Sequence, residues 1–386
     1  MGNIKIADTL KKYTMPIVLV AVFIFFSWQT EGKILIPQNL DNLLFYNAYV
    51  FILAIGMLMC ILTGGNIDLA VGSVVCFIGS IGGVIMDKKI NIWVAVLAMI
   101  AIGILVGLWQ GFWIAYINVP PFIATLAGMY AFRGLANVIM EGLTVTVSDE
   151  SFLFTFGNGH IPDILGSGEQ NITCFVAGII AVIVYACIVF YNRYDSKKRG
   201  YDTAPIVGDI VKTVVIGAVI IFLSYKLSYY KGIPTFLIWI LVVSLIYGYI
   251  TKKTVIGRDL YALGGNKKAA GLSGVNVKKV LFFSYVNMGL LAAFAGILTV
   301  AMLKSAAPTY GEGYEMDAIG ACFIGGASAY GGIGTVPGAI IGALLMGVID
   351  QGLNLMGIDA NYTPVVKGLV LLLAVIFDVV SKREKK

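Results

Sequence analysis

The chain has 386 residues, of which 59% are hydrophobic and only 12% charged, against about a quarter charged in an ordinary soluble domain. That much apolar surface has to be buried in lipid, which excludes a soluble globular protein and points to an all-α polytopic membrane protein. The net charge of +6 does not indicate nucleic acid, because the basic residues fall in the breaks between apolar runs, where the positive-inside rule puts them.

Apolar stretches of near-spanning length occur at about 14–30, 45–63, 69–86, 92–117, 120–140, 172–192, 207–226, 234–251, 280–302, 315–330, 336–356 and 364–381. They predict about twelve transmembrane segments, some tilted, short or broken. With the N-terminus inside, the cytoplasmic pieces hold Lys5, Lys11 and Lys12, then Arg193, Lys197, Lys198 and Arg199, then the basic residues of 252–279, and finally Lys382, Arg383, Lys385 and Lys386. The break 141–171 carries Glu141, Asp149, Glu150, Asp163 and Glu169 but no Lys or Arg, as an outer loop should. Both termini are therefore expected in the cytoplasm, although Lys88, Lys89, Lys226 and Lys231 fall outside and run against the rule. Lysines precede the first apolar run with no small-residue cleavage site after it, so a retained first span is expected and no signal peptide.

Polar residues within this apolar chain carry the functional candidates. Gly64–Gly65–Asn66–Ile67–Asp68 interrupts a long apolar run, and Asp68 is placed to cap the helix that follows. A broken helix of this kind can also present backbone polar groups to a substrate, which makes Asn66, Asp68 and Ser73 candidates for a translocation path. Arg133, Asp350 and Lys367 are charges in or near spans, each costing at least a few kcal/mol without a partner or water. Arg133 joins the path candidates, with snorkelling or a structural salt bridge as the plainer reading. Gly334, Gly338 and Gly342 recur every four residues, a spacing for close helix packing, and Gly325, Gly326, Gly331 and Gly332 around Tyr330 predict a hinge or broken helix. Trp28, Trp93, Trp113 and Tyr116 read as interface anchors. The five cysteines contain no CxxC pair, and His160, the only histidine, reads as a surface residue of the outer loop, so neither a zinc site nor a histidine-based catalytic set is indicated.

The longest strongly basic break, KKTVIGRDLYALGGNKKAAGLSGVNVKK at 252–279, is predicted to carry a short helix of its own. Asn266 can cap it, Lys267 to Leu272 form its turns and Gly274 supplies the left-handed residue that stops it. So short a helix does not persist alone in water. It has to pack on its own chain or on a partner, through a face of Ala269, Ala270 and Leu272. No GxxxxGK followed by Ser or Thr occurs in the chain, so it has no recognisable phosphate-cradling loop, and energy must come from a partner or an ion gradient.

The string GRDLYALGGNKKAAGLSGV within this loop resembles the cytoplasmic coupling loop of ribose/xylose/galactose-type ABC importer permeases. LTGGNIDLAVGS at 62–73 and FIGGASAYGGIGTVPGAIIGALLMGVIDQGLNLMG at 323–357 resemble the same family, in the same order. The resemblance covers most of the chain, and the xylose and multiple-monosaccharide permeases look most similar. It implies a non-enzymatic transport subunit in the plasma (inner) membrane of a bacterium, a single permease domain over 1–386. A ten-span family core would then be extended by an inserted pair of spans at 172–231, with 252–279 as the coupling loop. The implied partners are a cassette ATPase, an extracytoplasmic sugar-binding protein that delivers a monosaccharide such as xylose, and a second permease copy. No cofactor is implied for this chain, ATP and Mg belonging to the ATPase. Gly257, Arg258, Gly264, Gly265, Asn266, Ala269, Ala270, Leu272 and Gly274 would then couple to the ATPase. The alternative is an ion-coupled secondary sugar transporter, which needs acids deep in the membrane, and Asp68, Asp317 and Asp350 are the ones available.

Overall fold

The computed structural model describes residues 2–166, 168, 170–200 and 206–383, with the side chains of 15–376 among them. The basic side chains expected near the two termini, Lys5, Lys11, Lys12, Lys382, Arg383, Lys385 and Lys386, and Glu169 of the outer loop lie outside that description.

Helix starts follow from local chemistry. The first helices are α1 (Gly2–Gln29), α2 (Pro37–Tyr46), α3 (Ala48–Leu62) and α4 (Val71–Asp87). Next come α5 (Ile92–Ala115) and α6 (Pro121–Met140), a short α7 (Glu150–Phe156), α8 (Ile172–Lys198) and α9 (Ile206–Ser228). After α10 (Thr235–Lys253) the basic break forms α11 (Val255–Gly265) and α12 (Lys267–Leu272), and the chain ends with α13 (Val277–Leu303), α14 (Tyr314–Ile324), α15 (Val336–Leu355) and α16 (Thr363–Arg383). Proline opens α2 and α6, where its missing N–H has no helical partner to lose. Asn91, Asn171 and Asn276 accept a first-turn N–H at the starts of α5, α8 and α13.

Each of the twelve apolar stretches falls on a helix. Among the described residues seven helices are long and apolar enough to cross a membrane, or up to eight if α2 and α3, bent by 41° at their junction, are one span. The stretch at 315–330 is the shortest of the set: α14 stops at Ile324, and the chain turns through positive φ at Gly326, Gly331 and Gly332. The predicted break is there, with a half-length helix in front of it.

The centre is α3, buried at every position, as expected of a helix apolar all round. α13 lies against it and against α5. Gly103, Gly107 and Gly289 let α5 and α13 touch backbone to backbone, since a Cβ on Gly289 would meet the Gly103 carbonyl oxygen. By contrast α8 and α9 pack mainly on each other, Gly178 against Ser224 and Gly217 against Val182, and are little buried by the rest of the chain. Trp28, Trp93, Trp113 and Tyr116 are exposed near helix ends, as interface anchors would be.

Contacts between connections sort them into two ends of the bundle. At one end β1 (Val145–Thr146) pairs antiparallel with β2 (Ser305–Ala306), and His160 bridges to Pro234. There the His160 side chain is 7% exposed and lies 3.4 Å from Asp41, so it is not the surface residue that its loop position suggests. At the opposite end Gly332 N–H donates to the Leu62 carbonyl at 3.1 Å, beside Gly264.

Candidate functional site

The predicted coupling segment is two helices, not one. Thr254 caps α11 by accepting from Gly257 N–H at 3.2 Å, and α11 buries Gly257, Leu260 and Leu263 while Arg258 stays exposed. Asn266 caps α12 as expected, accepting from Ala269 N–H at 3.0 Å, and Gly274 stops it at φ +92°. The face of α12 differs from the expectation. Ala270 is buried against the chain's own body, whereas Ala269 is exposed and Leu272 is 91% exposed, so the outward face is Ala269 with Leu272. A six-residue helix has to turn one side inward, and Ala270 is on it.

At its far end α11 meets both broken regions. A Cβ on Gly264 would strike the Leu62 carbonyl oxygen and the backbone of Gly332, and one on Gly331 would strike Gly64. Tyr261 adds an O–H bond to the Gly334 carbonyl at 2.7 Å. Three chain segments thus meet at glycines, with no side chain between them; Gly265 beside them has open space. Gly334 is not on the helical face with Gly338 and Gly342 as the spacing predicts, because Thr335 caps α15 after it. Gly338 and Gly342 do pack closely, onto the carbonyls of Gly325 and Ala321 of the half-helix.

Two of the path candidates, Ser73 and Arg133, lie near the segment 305–313, a two-residue strand followed by turns that runs beside α4. Gly83 touches Ala306, the Cys76 thiol reaches the carbonyl of Pro308, and Gly72 touches Gly311. Arg133 pins this segment, donating to the carbonyls of Pro308 at 2.9 Å and Tyr310 at 2.6 Å. Its cost is met by backbone oxygens, neither of the plainer readings from sequence. Asp68 is buried and accepts from Ala70 N–H at 2.8 Å, closing a turn one residue ahead of α4. Ser73 is buried in the first turn of α4, and Asn66, half-buried, donates to the Thr63 hydroxyl at 3.0 Å.

At the opposite end from the glycine contacts lies a cavity of about 600 Å³ between α14, α15 and α16. Lys367 bridges two carboxylates there, with Nζ 2.7 Å from Asp317 Oδ1 and 2.9 Å from Asp350 Oδ2. Asp317 takes a second bond, from the Tyr49 hydroxyl at 2.6 Å, and the Tyr49 ring stacks on Tyr314 at 3.5 Å. Asp350 and Lys367 stand out in the sequence as intramembrane charges at similar distances from the 356–362 connection; Tyr49 and the pairing with Asp317 carry no such signal.

This arrangement has the parts of a transport subunit: a largely apolar cavity with a charged triad toward one end, half-length helices, and a separate exposed helix at the other end tied to both breaks. The family described as "Branched-chain amino acid transport system / permease component" matches residues 39–375. The chain belongs to that family. As a permease it is 35% identical to the xylose transport system permease protein XylH of Haemophilus influenzae, over 97% of this chain and 98% of the relative. The XylH of Escherichia coli K12 is 32% identical over 97% of this chain and 93% of its own length. The ribose import permease protein RbsC of the same strain is 36% identical over 88% and 85%. No solved structure matches the chain. The permease is a multi-pass membrane protein, and the resemblance of its three motifs holds along nearly the whole chain.

Proposed function

We propose that this permease is the membrane-spanning subunit of an ATP-driven ABC importer for a monosaccharide, xylose or a related sugar, in the inner membrane of a bacterium. The two XylH relatives and RbsC, full-length or nearly so, support the sugar class. In this reading sugar arrives from an extracytoplasmic binding protein, ATP and Mg are handled by a partner ATPase, and the permease works as a homodimer. The chain runs through twelve spans with both termini in the cytoplasm, α8 and α9 being the inserted pair. The sorting of connections into two ends agrees with that order, and the basic break 252–279 marks the cytoplasmic end.

The observation that carries the mechanism is the backbone contact of α11 with both breaks. Ala269 and Leu272 face the ATPase, Arg258, Asn266 and Gly274 shape the segment, and Gly257 and Gly264 seat α11 against the membrane body. A push on α12 moves α11, and through Gly264 it moves Leu62 and Gly332 together. Both half-helices then change tilt at once, which is what alternating access asks of broken helices. Asp68, Asn66, Ser73 and Arg133 hold the shapes of the moving parts, Arg133 by gripping 308–310.

Reconstitution in liposomes tests this, with the candidate ATPase and binding protein added separately and together. Sugar uptake and sugar-stimulated ATP hydrolysis are expected only with all components present. Uptake by the permease alone under an ion gradient overturns the reading in favour of ion coupling, with Asp68, Asp317 and Asp350 the first residues to replace.

A further inference from the structure

Two outward sides of the bundle differ in what they offer to a bilayer. On α8 and α9 every exposed position in the middle of the helices, over 181–188 and 214–222, is apolar, which acyl chains accept. On the side of α6 and the segment 305–313, Tyr130, Asn137, Thr309 and Glu312 are all exposed. Depth makes that second side unfit for lipid. Gly311, next to Glu312, packs on Gly72, the second residue of the 17-residue α4 and about 22 Å from its other end. Asp87, Lys88 and Lys89 keep that other end at the membrane surface, so Gly311 lies more than halfway into a hydrocarbon core about 30 Å thick. Non-helical backbone at such depth is tolerated only where protein or water covers it.

The charges on this strip say what can cover it. Glu312 is exposed and Arg133 half-buried, and neither makes an ion pair among the described residues. A two-fold axis through the strip sets Arg133 of one copy toward Glu312 of the other, twice over. A strip of one sign would repel its own copy. We propose that the strip formed by α6 and 305–313 is the face through which two copies of the permease pair in the membrane, Arg133 of each across from Glu312 of the other, and that α8 and α9 face lipid. That the permease pairs at all belongs to the importer reading above; the choice of face rests on exposure, depth and charge alone.

Double electron–electron resonance on the full-length permease in lipid nanodiscs tests the face. Cys187 on α8 is exposed and the other four cysteines are buried, so a spin label on the unaltered chain reports the α8 side. Thr309→Cys and Asn137→Cys, each combined with Cys187→Ser, move the label to the proposed face, where both residues are exposed and the Asn137 amide bonds only locally, to the Arg133 carbonyl. A defined distance between copies is expected in each case, shorter from Thr309 and Asn137 than from Cys187. Glu312→Arg sets like charges against each other and is expected to weaken pairing about tenfold or more, read as the dimer fraction against the permease-to-lipid ratio. A shorter distance from Cys187, no defined distance from Thr309 and Asn137, or undiminished pairing of Glu312→Arg overturns the face. Neither ATPase nor binding protein takes part, so the two readings fail separately. Intact uptake in the full assembly with the distances reversed removes the face and leaves the importer, while the expected distances with no uptake there remove the importer and leave the face.

Discussion

At the end of the bundle proposed as inner, Leu62, Gly264 and Gly332 meet backbone to backbone, whereas at the end proposed as outer, Tyr49, Asp317, Asp350 and Lys367 meet through charge and hydrogen bonds. The inner contact has no side chain to lose, so it is broken by adding atoms. The outer contact depends on matched charges, so it is broken by taking one away. The difference suits the parts they join. A backbone contact transmits displacement without compliance, while an ion triad holds elements in one arrangement only as long as its charges match.

The largest effect is expected at the outer end. Lys367→Met leaves Asp317 and Asp350 facing each other with no cation, and breaking a buried ion cluster in this way costs about 3–5 kcal/mol. The thermal unfolding temperature in detergent should fall markedly. Adding Asp317→Asn and Asp350→Asn to the same chain should recover much of the loss, because no uncompensated charge then remains. An unchanged unfolding temperature in Lys367→Met would mean that the triad does not hold α14, α15 and α16 together.

At the inner end the corresponding change is Gly264→Val. Its added carbons meet the Leu62 carbonyl and the Gly332 backbone, and overpacking of this kind costs about 1–3 kcal/mol. Transport should suffer more than stability, with uptake by the full assembly nearly abolished while the protein still inserts. Gly265→Ala next to it, where a Cβ meets nothing, should leave the unfolding temperature unaltered. If the two substitutions destabilise equally, close approach is not what makes Gly264 matter.

A smaller effect separates the two faces of α12. Leu272, 91% exposed, contributes nothing to the isolated fold, and burying a leucine against a partner is worth about 1.5–3 kcal/mol. Leu272→Ala should therefore weaken ATPase binding by about tenfold or more in a pull-down titration without moving the unfolding temperature. Ala269→Glu, a bulky charge on the same face, should uncouple uptake while the protein inserts normally. Ala270→Glu should act on stability instead, because Ala270 is buried. Normal uptake in Ala269→Glu would dismiss this face as the interface.

How far these features could be read from sequence follows the range of the interactions that make them. Lipid demands long apolar runs, so the twelve stretches were legible one at a time. So were the Asn266 cap and the Gly274 stop, which rest on neighbours in the chain. The run Val255–Gly265 carries little helical signal, because its buried positions, Gly257, Leu260 and Leu263, are too few in eleven residues to stand out. Gly334 looked helical by spacing alone, but the Thr335 cap places it outside α15. The ion triad joins residues up to 50 apart and Tyr49 lies 268 residues from Asp317, and nothing local in a single sequence encodes such a pairing. The same holds for His160, whose burial depends on Asp41 across the outer end.

The smallest expected effect lies in the outer loop, where the contrast with the charged cavity can be sharpened by pH. Asp163 ties the start of α8 to that loop: it accepts from the Thr173 hydroxyl at 2.6 Å and from the amides of Leu165, Gly166, Ile172 and Thr173. The Thr173 hydroxyl bond, followed by the bonds from the Thr173, Ile172 and Leu165 amides, pulls its carboxyl down from 3.8 to about 2. A carboxyl lowered on folding lends its support fully above the unfolded value and loses it as pH falls through the folded one. The tie should therefore hold unchanged from neutral pH down to about 4 and open only as pH approaches about 2. Hydrogen exchange at the amides of 164–173, followed against pH after correction for intrinsic rates, reads this directly. Asp163→Asn should exchange faster at neutral pH and lose the acid step. Protection that already collapses between about pH 5 and 4 would mean that Asp163 titrates like an ordinary surface carboxylate and holds nothing.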